Sequence, residues 1–404
     1  MFCVCYLCTN KTSYITMANQ LVSAGARREC TWPSLPVELM EMILCTFTGN
    51  EEHFIHSLVC KQWRAIIHAY RERRGMPARF QTPIAAGLRT LKLAAWSRDK
   101  GMPMTARTTA VAARGGNLNI LYWALTSKCA WDEETCSAAA RGGHLNILQW
   151  LRTNDCPWYE DETCAYAVEG GHMNVLQWFY TNGYKWNEKS CAKAAENGHL
   201  NVLQWLRGIR CPWDWSTCAY AAQNGHLDVL QWARAKECPW NWRTCAYAAR
   251  NGHLDVLQWA RANECPWNTQ ICLWAAENGH LAVLQWARGV PHPCPWDENT
   301  CAHAAENGHL AVLRYAYEHG CPWNELTCSW AAGNGHLDVL QWARANECPW
   351  DEWTCVSAAQ NGHMAVLQWA RANGCPWDWR TCAYAAMNGH LAVLEWARAN
   401  GCPT

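Results

Sequence analysis

The chain has no apolar run approaching the roughly 20 residues that a membrane-crossing helix requires, so no membrane partner is expected. Its opening residues, MFCVCYLCTNK, carry no basic stretch ahead of their short apolar one, unlike a signal peptide. Net charge is absent too, because Lys+Arg and Asp+Glu both number 34. A balanced chain has no global field to draw it to nucleic acid or to a lipid surface. The balance is local only in part: residues 61–100 hold ten Lys/Arg against Glu72 and Asp99, leaving the remainder net acidic.

The close cysteine pairs of a zinc knuckle are also missing, although cysteine itself is abundant at 26. Twenty of these cysteines fall into two periodic columns, one before Pro-Trp (Cys156, Cys211, Cys238) and one usually after Thr (Cys136, Cys164, Cys218). A bridge between successive members, such as Cys156 and Cys164, would make the columns lapse together. Tyr184 replaces the first while Cys191 keeps the second, and Cys402 has no downstream mate. The cysteines therefore read as small buried hydrophobes in a reducing compartment, with neither disulfide nor metal.

What the chain does have is repetition. A Gly-His step recurs at His144, His172, His199, His226, His253, His280, His309, His336, His363 and His390, with Asn117 starting the column. Most successive members stand 27 residues apart. A fixed period of this size marks a solenoid, in which each unit buries its apolar face against its neighbours. Taking Asp351–Trp377 as the type unit, Asp351 is a favoured N-cap and begins one helix through the small pair Ala358-Ala359. Asn361-Gly362 ends it, with glycine supplying the left-handed turn. His363 opens a second helix whose Met364, Val366, Leu367 and Ala370 share an apolar face, and Gly374 and Pro376 close it. Extra residues near Tyr159-Glu160-Asp161 and Pro291-His292-Pro293 should lie between helix pairs, leaving helix lengths unchanged. The stack occupies residues 87–404: a degenerate half-repeat, Gly87 to Lys100, precedes about 11 repeats.

Upstream, residues 1–32 have no periodic pattern and read as a flexible leader, and residues 71–86 as a basic linker. Between them, PSLPVELMEMIL and HFIHSLVCKQWRAIIHAY are two amphipathic helical runs. Leu35-Pro36, Glu38-Leu39, Ile43-Leu44 and Val59-Cys60-Lys61-Gln62-Trp63-Arg64 make residues 33–70 resemble the F-box family, with Phe47 and Glu51-Glu52-His53 departing from its pattern. The resemblance implies a small helical module that docks on the Skp-type adaptor of a cullin–RING ubiquitin ligase. Leu35, Pro36, Leu39, Ile43, Leu44, Val59 and Trp63 are then the module and docking residues.

The repeats resemble ankyrin repeats. Thr-Cys-Ala-Tyr-Ala-Ala at 381–386 stands at that family's first-helix motif, and Asn-Gly-His-Leu-Ala-Val-Leu at 388–394 at its second-helix opening. Ankyrin units run to about 33 residues, so the shorter period implies that Cys-Pro-Trp replaces the projecting hairpin and that strands are absent. An N-terminal F-box joined to short ankyrin-like units looks like the large families encoded by giant DNA viruses of amoebae. The expected fold is therefore all-α: an F-box helical module followed by a helix-turn-helix ankyrin-like solenoid.

Recurring Cys and His invite a catalytic reading, but an active site is one unsymmetrical place and a repeated column is architecture. No catalytic residue, metal ligand or cofactor site is assigned. Of the 29 tryptophans, ten follow the Cys-Pro column and ten sit in the Gln-Trp column, as packing residues. More informative are aromatics that break the period or occupy a varying column: Trp215, Trp242, Trp274, Trp330, Trp353, Tyr166, Tyr220, Tyr247 and Tyr384, with Trp379 beside them. Arginines before the Asn-Gly or Gly-Gly step, Arg141 and Arg250, vary likewise, and such side chains are typical of binding hot spots. These are the candidate target-binding residues. The expected function is a non-enzymatic substrate receptor in the cytoplasm or nucleus of a host cell, binding adaptor and cullin through the F-box and an unknown target protein through the repeats. The alternative is a scaffold or decoy that sequesters a host protein without ubiquitination. Nucleic acid is not an expected partner, because the repeats carry no basic stripe.

Overall fold

The computed structural model describes residues 88, 90–99 and 104–403. The leader, the F-box-like module with Leu35, Pro36, Leu39, Ile43, Leu44, Val59 and Trp63, and the basic linker lie outside the described residues. Within them every regular element is an α-helix and no strand occurs. Leu91–Asp99 comes first, in register with Leu118–Thr126, and eleven helix pairs follow, ending with Trp379–Met387 and Leu391–Ala399. Two compact units divide this stack, one ending at Tyr184 and the other running from Lys185 to Thr404.

In the second unit each pair follows from its sequence. Asp214 holds an extended backbone and its carboxylate accepts the Ser216 amide at 3.0 Å, which starts the helix Trp215–Gln223. Asn241, Asp297, Asn324, Asp351 and Asp378 do the same at their own helices. Ala221 and Ala222 are fully buried, and small side chains of this kind let successive first helices approach closely. The second helix, Leu227–Ala235, buries Val229, Leu230 and Ala233. Burying a Val or Leu side chain is worth about 1.5–3 kcal/mol, and the neighbouring layers are what supply the burial.

The first unit repeats this plan with one departure. Insertion at Tyr159 was expected to lengthen a connection, yet it lengthens a helix: Glu160–Gly170 has 11 residues, against nine in the helix pair before it. The cap residue there is Tyr159, whose side chain makes no capping bond, while Glu160, Asp161 and Glu162 fill the first turn. Acidic side chains at a helix N-terminus complement its dipole and favour the earlier start. In the second unit, the insertion at Pro291-His292-Pro293 does remain outside the helices.

The cysteine columns pair, but not as their sequence order suggests. Every described cysteine is buried and free of disulfide. First-helix thiols meet the Cys-Pro-Trp cysteine beyond the following helix: Cys191 meets Cys211, Cys218 meets Cys238, Cys328 meets Cys348 and Cys355 meets Cys375. Tyr184 is therefore the counterpart of Cys164, and Cys402 the counterpart of Cys382. Spatial partners still do not lapse together, because Cys164 is kept where its counterpart is Tyr184, so the argument against bridging holds for the pairs that the fold makes. The hydrogen bond from the neighbouring thiol, and then burial, push Cys191, Cys218, Cys245, Cys328 and Cys355 well above the ordinary thiol range. The sulfurs also reach backbone carbonyls, as from Cys238 to Asp214 O at 3.5 Å.

The histidines were expected simply to start second helices. They stand at that position, yet none caps its helix with its side chain. Instead the ring reaches back to the preceding layer. In the second unit His280 Nε2 donates to Arg250 O at 3.0 Å and His309 Nε2 to Glu277 O at 3.1 Å. In the first unit His144 and His172 bond Arg114 O and Arg141 O, each at 3.0 Å. The ring covers the glycine of that earlier turn so closely that a Cβ on Gly252 would stand 2.7 Å from His280 Nδ1. Asn117 differs because it caps its own helix, accepting the Ile120 amide at 3.2 Å. A histidine there would reach for a carbonyl that lies outside the described residues.

The periodic tryptophans complete the framework. Trp240 meets Trp259 edge-on at 6.0 Å, and the Arg234 guanidinium lies 4.1 Å over Trp240 while donating to Cys238 O. The same cluster recurs around Trp213, Trp267, Trp350 and Trp377. Where Tyr317 replaces the arginine, its ring stacks on Trp323 at 4.3 Å. The position requires a flat group over the indole rather than a charge.

Candidate interaction face

With thiols, histidines and periodic tryptophans committed to packing, the varying side chains are gathered on the first helices. In the second unit Tyr220, Tyr247 and Trp274 occupy one position of three successive first helices, Trp215–Gln223, Trp242–Arg250 and Gln270–Glu277. Their rings form a continuous stack: Tyr220 to Tyr247 at 6.3 Å and 9°, Tyr247 to Trp274 at 5.8 Å and 27°. Trp242 leans on Trp274 at 6.3 Å. Trp215 and Trp242 both border Arg243, whose guanidinium carbon lies 4.8 Å from each ring centroid. Arg250 lies 5.7 Å over Trp274.

The remaining candidates stand elsewhere on first helices. Trp330 packs on His303 at 5.0 Å, and His303 meets Glu306 at 2.9 Å. Trp353 is 41% exposed, contacts Tyr384 at 6.3 Å and carries Arg380 at 4.6 Å. Arg380 is neutralised by Asp378, which holds its guanidinium in the charged form, and by Glu352 at 3.6 Å. Trp379 is 58% exposed. In the first unit Tyr166 lies beneath Arg141, which is paired with Glu169. A cavity of about 200 Å³ there is lined by Arg107, Val111, Arg114, Ala138, Arg141 and Tyr166, with Ala138 at the position that Tyr220, Tyr247 and Trp274 hold in other repeats. No described group of three or more His, Cys, Asp or Glu side chains is arranged to hold a metal. No described helix is long and apolar enough to cross a membrane.

Arg243 was not among the expected residues. Its position reads Ser216, Arg243, Gln270, Asn299, Leu326, Trp353 and Arg380 in successive repeats. That variation was as visible as the one that marked Tyr247.

Known families match two parts of the chain. The F-box domain model matches residues 32–73, and a family model of ankyrin repeats in many copies matches residues 301–354. Among solved structures the chain is similar to the ankyrin repeat domain of human ASB11, at 15% identity and a TM-score of 0.32 over 39% of this chain and 84% of that one. It is also similar to the pentatricopeptide repeat protein PPR10 in complex with an 18-nt psaJ RNA element, at 13% identity and a TM-score of 0.38, covering 87% of this chain and 63% of that one. No curated protein matches the chain in sequence. An F-box domain thus precedes an all-helical solenoid of ankyrin repeats, a combination of two protein-interaction modules.

Proposed function

We propose that the protein is a non-enzymatic substrate receptor of a cullin–RING ubiquitin ligase. Its F-box, taken as residues 33–70, docks a Skp-type adaptor through Leu35, Pro36, Leu39, Ile43, Leu44, Val59 and Trp63. The first-helix face of the repeats holds the protein to be ubiquitinated. The observation carrying this reading is the F-box match at residues 32–73, upstream of a stack whose packing columns are constant while its first-helix aromatics vary. A solenoid of this kind binds by surface, and rigid aromatic side chains are efficient contact area. Resemblance to the F-box and ankyrin families of giant viruses of amoebae makes the target a host protein, met in cytoplasm or nucleus.

Immunoprecipitation of the intact chain and of Leu35→Ala/Pro36→Ala from amoebal cells tests the reading. The intact chain should bring down an adaptor and a cullin, and the double variant should lose both. Absence of either partner from the intact chain overturns the ligase assignment. If both co-purify, proximity-labelled targets should accumulate in cells expressing the variant. Unchanged target levels would leave sequestration without ubiquitination as the function.

A further inference from the structure

We infer that the patch around Arg243 and Arg250 is the target-recognition site and that it binds an acidic segment of the partner protein. This inference rests on the substrate-receptor reading and specifies its ligand chemistry.

Among the arginines on first helices of the second unit, Arg380 is ion-paired and Arg243 and Arg250 are not. Lys193 is matched by Glu196 at 3.1 Å, and Arg380 by Asp378 and Glu352. Arg243 and Arg250 have no carboxylate within ion-pair distance among the described residues. Glu277, on the next first helix, is not paired with Arg250, whose guanidinium lies over Trp274 instead. Two cations are thus held on one helix, Trp242–Arg250, without internal neutralisation.

Their setting prepares them for carboxylates. Arg243 lies 4.8 Å from the centroids of two indoles, and no described carboxylate takes its N–H groups. A guanidinium edge matches a carboxylate in bidentate fashion. Stacking fixes the side chain beforehand and removes part of the entropy that ordering it would cost on binding. The aromatic rings point the same way. Tyr220, Tyr247 and Trp274 stack in sequence, with Tyr247 between the other two. A ring edge is the positive end of its quadrupole and favours an anion. A single-stranded nucleic acid would need open faces on which bases stack, and in this stack Tyr247 already has a ring on each side. Spacing suits an extended segment: seven residues of helix advance about 10 Å, as do three residues of extended chain. Carboxylates three apart would reach both arginines.

The test is panning of a random-peptide phage library on the full-length protein, followed by fluorescence anisotropy with the best synthetic peptide. Selected peptides should be rich in Asp and Glu. Arg243→Gln/Arg250→Gln should weaken the peptide about 10-fold or more per arginine, and Arg243→Lys/Arg250→Lys should recover only part of the loss. Glu277→Gln should tighten binding by removing a competing carboxylate from the next first helix. Melting of each variant by circular dichroism separates lost binding from lost folding, and added salt should weaken the intact protein's complex. Selection of peptides without acidic residues overturns the proposal. So does equal binding by the Gln double variant, or preference for an oligothymidylate probe over the peptide. Leu35→Ala/Pro36→Ala must leave peptide affinity unchanged and the Arg variants must still capture the adaptor, so this site and the ligase reading fail separately.

Discussion

Gly252 and Gly374 share a backbone conformation and differ in what lies above them, so replacing each by alanine isolates the histidine contact between layers. Their φ angles are +78° and +83°. A Cβ on Gly374 would meet nothing within 4 Å, whereas one on Gly252 would stand 2.7 Å from His280 Nδ1 and 2.8 Å from Cε1. Left-handed backbone costs a non-glycine residue about 1–2 kcal/mol. Stiffening the unfolded chain returns about 0.4–1 kcal/mol, so Gly374→Ala should cost on the order of 0.5–1.5 kcal/mol. Gly252→Ala carries the same strain and must also push the imidazole away. Overpacking of that kind adds about 1–3 kcal/mol, and the bond to Arg250 O is lost with it. The expected total is about 2–6 kcal/mol. Urea titration followed by far-ultraviolet circular dichroism reads both variants, provided the slope with denaturant stays constant. In a His280→Ala background the excess at Gly252 should vanish while the cost at Gly374 persists. Equal costs at the two glycines, or an excess that survives removal of His280, would refute the layer contact.

Other expectations follow from the same packing. Glu347 holds φ +64° at a turn where other repeats have Gly320, Gly374 or Gly401, so Glu347→Gly should raise stability by about 0.5–1 kcal/mol in the same titration. The twenty cysteines from Cys129 to Cys402 should resist a thiol reagent at mild alkaline pH and react only with denaturant, as read by peptide mass mapping. Rapid native labelling of Cys245 or Cys355 would contradict their raised pKa and burial. His309 is held below the ordinary histidine pKa by burial, opposed by its bond to Glu277 O and reinforced by His280 and His336. Depressed in the folded state, it contributes stability that is full above roughly 6.5, the unfolded value, and lost as pH falls toward the folded one. His309→Asn should therefore flatten the decline of the urea midpoint below that pH, and an identical decline in both proteins would exclude this histidine.

Much of the fold was legible because a repeat prints its own framework. Helix starts at the Asp/Asn column, the left-handed glycine and the Val-Leu-Ala stripe each need only local rules. Thiol partners and histidine contacts were not legible, since they join residues that only the stacking of layers brings together. Two glycine columns show how such a contact could have been noticed. After first helices the turn keeps glycine in Gly116, Gly143, Gly198, Gly225 and Gly252, all with positive φ. After second helices the same conformation is held by Lys128, Asp155, Arg210, Glu237 and Glu264 as well as by glycine. Backbone strain alone cannot separate the columns; a neighbour pressing on one of them can. The column of Arg243 varies as visibly as that of Tyr247, but its contact with Trp215, one layer away, is not a property of its own repeat.

This division between columns has a consequence for how binding and stability trade against each other. The repeat beginning at Asp351 places Leu367 in the interior with no exposure, while Trp353 is 41% exposed and touches Tyr384 and Arg380 at the edge of the first-helix face. Leu367→Ala removes buried methyl groups between two layers and should cost about 2–5 kcal/mol. Trp353→Ala gives up one ring pair and one stacked arginine at a hydrated surface, about 0.5–1.5 kcal/mol. Both variants lie in one repeat, so a single series of denaturant titrations compares them without differences in end fraying. A Trp353→Ala cost as large as that of Leu367→Ala would place the tryptophan in the framework and withdraw it from the candidate face. If the gap holds, first-helix side chains can change freely without unfolding the stack, which is the condition for one scaffold to present different surfaces.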